Sequence, residues 1–357
     1  TDLTPGVDFT YRMLLDGKQV FESKARPRKS AIQPYRVVVF GDCGEGTPGE
    51  KQIAYQTSVL NPDFIFIPGD IVYTHGSISE YRKNFFPVYN ADKASLTEGA
   101  PLQRSTLFLA APGNHDVDGR DLNAFPDGMA YFYLWYQPLN GPTFPLNAPQ
   151  TPTIKGPTES TLPFLTAALP QYPVMANYSF DYGNTHWTVL DSNPYTDWTK
   201  PPLRDWLEKD LASAQGSTWR VVTFHHPGLG AGFRPDDPKM QAVGSIMAKG
   251  KVDVVFNGHL HTYFCSRPIK YEGSWTFDST YDGVKKTKPD GTIYVITGAG
   301  GAHLHELNKE MMLMNLLARK SIPGKYSLTV ADVNGRTMTL RQIGTDGKEM
   351  DHYVITK

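Results

Sequence analysis

Five separated stretches of this chain have the same construction: RVVVFGD (36–42), DFIFIPGD (63–70), STLFLAAPGNHD (105–116), WRVVTFHHP (219–227) and VDVVFNGHLH (252–261). Each is an apolar, largely β-branched or aromatic run that stops at an aspartate, asparagine or histidine. Runs of this length bounded by turn residues read as buried strands. Between them lie helical patterns, EKQIAYQTSVL (50–60) and PLRDWLEKDLASA (202–214), the second with Trp206, Leu207 and Leu211 on one face. The alternation predicts an α/β fold with parallel strands and helical crossovers.

One carboxylate after a strand is ordinarily a turn residue, because its side chain bonds turn backbone. A lone histidine is ordinarily a satisfied or surface one. The joint pattern is what departs from chance. In an open α/β sheet, ligands bind beyond the carboxyl ends of the strands. If these strands share a sheet, Asp42, Asp70, Asn114, His225, His259 and His261 reach one crevice, and Gly41, Gly69, Gly113 and Gly258 let the backbone turn there. The His259-Leu260-His261 spacing would put both rings on one strand face. With their neighbours these donors exceed one ion, since zinc takes about four ligands and octahedral ions about six. They suit two ions sharing a carboxylate, an arrangement that clamps the attacking and leaving oxygens of phosphoryl transfer and acidifies bound water.

The remaining chain is less specific. Residues 1–35 are polar and mixed, and are expected as an N-terminal segment ahead of one domain over 36–357. Residues 117–176 form a Pro-, Thr- and Asn-rich insertion, expected as an irregular lid or disordered loop. Hairpins are predicted over 177–192, turning at Tyr-Gly-Asn, and over 327–344, turning at Asn-Gly. A helix is predicted over 238–250 and a strand over 292–301. The 35 basic and 36 acidic residues give a net charge of −1, which argues against a nucleic-acid footprint. No apolar run approaches the ~18 residues of a membrane span. The 28 prolines and 19 tyrosines suit a secreted or periplasmic enzyme. The first residue is Thr, which a removed leader and an arbitrary boundary explain equally. Cys43 and Cys265 are the only cysteines; one bridge or two free thiols would fit.

The motifs GDCG (41–44), GDIVY (69–73), GNHD (113–116), VTFH (222–225) and GHLH (258–261) together resemble the calcineurin-like metallophosphoesterases, and within them the purple acid phosphatases. The resemblance covers roughly residues 36–300 and includes the YSFDYGNTHW hairpin and the WLEKDL helix. It implies a four-layer α/β/β/α sandwich of two mixed sheets flanked by helices. It also implies two metal ions, Fe(III) with Fe(II), Zn(II) or Mn(II). Asp42, Tyr73 and His261 would hold the first, Asn114, His225 and His259 the second, and Asp70 would bridge them. Tyr73 is the informative residue, because a phenolate favours ferric iron. His115 would act as general acid or phosphate ligand. The implied activity is hydrolysis of the phosphate monoester of a small molecule by a metal-bound hydroxide; a phosphodiesterase or nucleotidase on the same core is the alternative. A non-catalytic binding protein and a di-iron redox protein are weaker rivals. An N-terminal β-sandwich, present in the plant-type enzymes, does not fit in residues 1–35.

Other residues carry narrower expectations. His226 follows ligand His225, where the family often has Ser, and is a candidate substrate contact. Arg234 is a candidate phosphate clamp, since a guanidinium binds phosphate oxygens bidentately. His75 is a rim candidate. His303 and His305 form a second His-x-His that reads as crevice rim or surface loop, with the loop favoured, while His186 and His352 read as structural.

Overall fold

The computed structural model describes residues 3–228, 243–271, 275–305 and 318–357. Strands β1 (Phe9–Leu15) and β2 (Lys18–Ala25) pair as an antiparallel hairpin within the N-terminal segment. Its turn at Asp16-Gly17 has φ of 50° and 76°, the left-handed geometry that matches strand twist. The parallel strands β3 (Tyr35–Val39), β4 (Phe64–Pro68) and β5 (Leu107–Ala111) follow. Helix Pro48–Leu60 crosses between the first two. Thr47 caps it by accepting from the Glu50 N–H at 3.1 Å, Pro48 occupies the first turn, and Asn61 ends it with φ 53°.

The hairpin β6 (Tyr178–Tyr182) and β7 (Thr185–Val189) opens a second sheet, extended in parallel by β8 (Trp219–Thr223) and β9 (Val254–Asn257). Helix Leu203–Ser213 crosses from β7 to β8. Then come β10 (Tyr263–Ser266), a ribbon of β11 (Ile269–Tyr271) and β12 (Trp275–Phe277), and β13 (Ile293–Thr297), which lies parallel to β9. Strand β14 (Ala318–Ile322) pairs with β10. The meander β15 (Ser327–Asn334), β16 (Thr337–Gly344) and β17 (Glu349–Thr356) joins the first sheet through β15 and β3. The described strands thus give a six-stranded sheet, β17-β16-β15-β3-β4-β5, and a seven-stranded one, β14-β10-β13-β9-β8-β7-β6.

Alternation along each strand sets the layers. In β3, Val37 and Val39 face the second sheet, while Val38 packs under helix Pro48–Leu60 with Ile53 and Ala54. In β9, Val254 and Phe256 face the first sheet, and Val255 packs with Leu207, Leu211 and Met247 of the outer helices. The order is helix, sheet, sheet, helix, the expected four-layer sandwich. One expectation is corrected: the five strand ends do not share a single sheet, since β3, β4 and β5 belong to one and β8 and β9 to the other. Trp187 spans the gap, its ring 5.8 Å from Phe66 and 6.0 Å from Phe256.

Residues 117–176 are not a loose lid. Tyr131, Phe132, Phe164 and Tyr172 are buried in the outer core of the first sheet, and helix Thr158–Ala168 lies among them. Of the predicted 238–250 helix, residues 243–250 are described, and they hold the helix Gly244–Lys249. Cys43 and Cys265 are buried, unbridged, and in different core clusters. His186 is structural, held by Asp181 at 2.8 Å and Asp210 at 3.1 Å. His352 lies on β17 beside Glu349. No helix among the described residues is long and apolar enough to cross a membrane.

Candidate metal centre

The loops after β3, β4, β5, β8 and β9 meet at one end of the sandwich. Main-chain bonds stitch them: Asp42 N–H donates to Gly69 O at 3.1 Å, Cys43 N–H to Asp70 O at 3.1 Å, Gly41 N–H to Thr297 O at 2.9 Å and Gly258 N–H to His225 O at 3.0 Å. Carboxylates complete the lacing. Both oxygens of Asp42 accept from the His259 N–H at 2.9 Å, and Asp70 Oδ1 accepts from the His115 N–H at 2.8 Å.

The donors expected from sequence fall into two groups. Asp42 Oδ1, Tyr73 Oη and His261 Nε2 lie 3.1–3.4 Å from one another. Asn114 Oδ1 lies 3.1 Å from both His225 Nε2 and His259 Nδ1. Asp70 Oδ2 touches both groups, 3.4 Å from Tyr73 Oη and 3.1 Å from His225 Nε2. Ligands held at about 2.0–2.2 Å from a cation stand about 3.0–3.4 Å apart. Two ring orientations are fixed from behind, His225 Nδ1 by Pro68 O at 2.9 Å and His261 Nδ1 by His303 O at 2.5 Å. A backbone carbonyl on Nδ1 selects the tautomer with a lone pair on Nε2. Nε2 then faces carboxylate, amide or phenol oxygens, a concentration of acceptors that a bound proton or a metal cation resolves. Among the described residues no lysine or arginine pairs with Asp42 or Asp70, which are 0% and 2% exposed. Buried carboxylates without such partners are costly unless a cation balances them. The residues present therefore fit metal ions.

Burial raises the Asp42 pKa despite the His261 imidazole beside it. Burial also opposes charge on Asp70, but His225 and the His115 N–H hold its carboxyl well below the usual range. His225 would be lowered by burial, yet Asp70 pushes it up to about 9. His259 is held down at about 3 by burial and by the neighbouring His225 charge, so it stays neutral.

Local backbone geometry corrects two expectations. The glycines do not all serve as turn points. Only Gly69 has a positive φ, 91°; Gly113 and Gly258 are required by close approach, since a Cβ would come within 2.2 Å of Asp70 Oδ1 and 2.6 Å of Asp42 Oδ2 respectively. The left-handed conformations fall on the donors themselves, Asp42 at 57°, Asp70 at 50° and His259 at 68°. Such non-glycine residues cost about 1–3 kcal/mol each and persist where the surroundings over-determine them. His259 and His261 also do not alternate along a strand, because β9 ends at Asn257 and both rings are aimed by the loop beyond it. Gly113→Ala is expected to cost about 1–3 kcal/mol of stability by overpacking against the Asp70 backbone and to lower metal occupancy, as read by denaturation and elemental analysis.

Several residues at the site went unassigned from sequence. Asp116 is buried and accepts from Ile71 N–H at 3.0 Å and Gly113 N–H at 2.8 Å, tying the β4 and β5 loops together; burial, with Asp70 nearby, raises its pKa to about 7. Its place in GNHD was the available signal. Ser192 Oγ accepts from His226 N–H at 2.9 Å. Asn193 Nδ2 donates to Gly113 O at 3.3 Å, and nothing in its local sequence marks it. His305 lies at the crevice rim and not on a remote loop: its ring stacks on His261 at 3.9 Å and 9°, and its Nδ1 accepts from the His261 N–H at 3.2 Å. His303 pairs with Glu45 at 2.8 Å. His115 Nδ1 bonds Thr74 O at 2.8 Å, and its ring lies 4.5 Å from Tyr73. His75 stacks on Phe125 at 4.0 Å and pairs with Asp118. His226 lies against His225 and His259. Arg234 lies outside the described residues.

The chain belongs to the calcineurin-like phosphoesterase family, whose model matches residues 35–263. Its relatives include purple acid phosphatases. The Arabidopsis thaliana protein "Probable inactive purple acid phosphatase 27" is 26% identical over 85% of this chain and 48% of its own length. The Hordeum vulgare "Nucleotide pyrophosphatase/phosphodiesterase" is 24% identical over 80% of this chain and 73% of its own. The chain spans about half the length of the first of these, and 56% of a second Arabidopsis relative. In structure it is similar to the purple acid phosphatase PPD1 from yellow lupin (Lupinus luteus) seeds, with a TM-score of 0.73 and 20% identity over 99% of this chain and 60% of that one. The match bears out the fold.

Proposed function

We propose that this protein is a dinuclear metal-dependent hydrolase of phosphate monoesters, acting on phosphorylated small molecules. The carrying observation is the pair of donor groups that share Asp70 Oδ2, with no lysine or arginine among the described residues to balance the two carboxylates. Asp42, Tyr73 and His261 would hold one cation, Asn114, His225 and His259 the other, and Asp70 would serve both. Bound there, the cations would supply Lewis acidity toward the phosphoryl oxygens and an acidified water. His115 is anchored through Nδ1 to Thr74 O at 2.8 Å, leaving Nε2 as the atom that exchanges a proton with the leaving oxygen. The phenol of Tyr73 favours a ferric ion in its group, with a divalent Fe, Zn or Mn in the other. Residues 36–357 are proposed as one catalytic domain preceded by the segment 1–35, and a secreted or periplasmic location fits the composition.

The name of the barley relative favours a second reading, cleavage of phosphodiesters or pyrophosphates on the same centre. The names of two Arabidopsis relatives favour a third, a binding protein that keeps the fold without turnover. The test is metal analysis of protein isolated without added ions, a visible spectrum, and turnover of p-nitrophenyl phosphate against bis-p-nitrophenyl phosphate. The expected result is two metals per chain, a mid-visible band lost in Tyr73→Phe, and faster monoester cleavage. Full metal content with neither ester cleaved would establish the binding protein instead.

A further inference from the structure

The geometry points to His226 as an additional donor to the second, imidazole-rich cation site, completing a set of three histidines with His225 and His259. The inference rests on the dinuclear reading above. Consecutive residues on a strand face opposite ways, yet His225 and His226 both enter the crevice because β8 ends at Thr223. A ring nitrogen from each of His225, His226 and His259 lies within 4.8 Å of the others. The His226 ring centroid is 4.5 Å from that of His259 and 4.9 Å from that of His225.

A support behind the ring orients it. Ser192 Oγ accepts from the His226 N–H at 2.9 Å and meets His226 Nδ1 at 2.9 Å, which fixes the plane of the ring. Hydrogen bonds of this kind from behind orient metal-binding imidazoles. The result is an asymmetric pair of sites. One group is oxygen-rich, with Asp42, the shared Asp70 and the Tyr73 phenol beside one imidazole; the other would have three imidazoles, the Asn114 amide and the shared Asp70. Hard oxygen donors favour a trivalent or alkaline-earth-like ion, whereas imidazoles favour zinc and similar divalent ions. His226 thus gives the second site a preference for zinc over manganese or magnesium.

The test uses the full chain stripped of metal and titrated with Zn²⁺ alone in competition with a chromophoric chelator. Wild type, His226→Gln and His259→Ala are compared, and ¹¹³Cd spectra are recorded on wild-type protein carrying ¹⁵N-labelled histidine. In His226→Gln one of the two zinc ions should bind at least about 10-fold more weakly, with the other unchanged. The cadmium in the second site should couple to three imidazole nitrogens. Unchanged affinity for both zinc ions in a folded His226→Gln protein would overturn the proposal, as would coupling to two nitrogens only. The wild-type cadmium spectrum decides the matter even if the variant does not fold. If wild type binds no second ion, or His259→Ala keeps both, the dinuclear reading itself fails, a distinct result.

Discussion

Asp70→Asn should lose at least one cation and more than about 100-fold in turnover. Replacing groups that merely support metal ligands costs about 10–100-fold, and removing one preorganised stabilising group costs about 10²–10³-fold. Asp70 stands at the junction of both donor groups, so it belongs at or above that range. Asparagine keeps the shape but removes the charge. It also places an amide donor either against the His115 N–H, now satisfied by Oδ1, or among the Tyr73 and His225 donors. Elemental analysis and monoester kinetics on the same preparation read both effects. A variant with full metal content and wild-type turnover would remove Asp70 from the centre.

Trp187→Ala should cost about 3–5 kcal/mol of stability. The ring is 1% exposed and lies between the two sheets, stacked on Phe66, Phe180 and Phe256. Its removal opens a cavity bounded by strands of both sheets, which cannot close without moving one against the other. Leu14→Ala on the exposed β1–β2 hairpin removes apolar bulk from a water-facing surface and should stay within about 0.5 kcal/mol. Equilibrium denaturation of the two variants compares them directly. Similar midpoints would mean that the sheet-to-sheet core does not hold the molecule together.

The parts of the fold that sequence made legible are those governed by local pattern. The valine-rich run before Asp42 and the aromatic run before Asp70 bury both faces, so they announce themselves as interior strands whatever their partners. Their division between two sheets is decided by pairings distant along the chain, such as β15 with β3, and no window of residues contains that information. The site divides the same way. Asp42, Asp70, Asn114, His225, His259 and His261 were legible because each follows a strand. His305 was not ranked with them, since its role comes from a stack on His261 made 44 residues away. Gly113 was legible as a required glycine but not for the right cause, because the crowding comes from Asp70 on another loop. The β1–β2 hairpin stayed hidden because most of its residues face solvent and none is fully buried, so its alternation is between half-buried and exposed positions only.

The bond between Asp42 and the His259 amide joins residues 217 apart, and the contact between Asn114 and His225 spans 111. A chain that has finished only one half of its architecture owns only part of the cage, so it cannot retain an ion with native strength. Ion uptake at the proposed centre would therefore be a late event in maturation, one that reports docking of the two halves and, once made, opposes their coming apart.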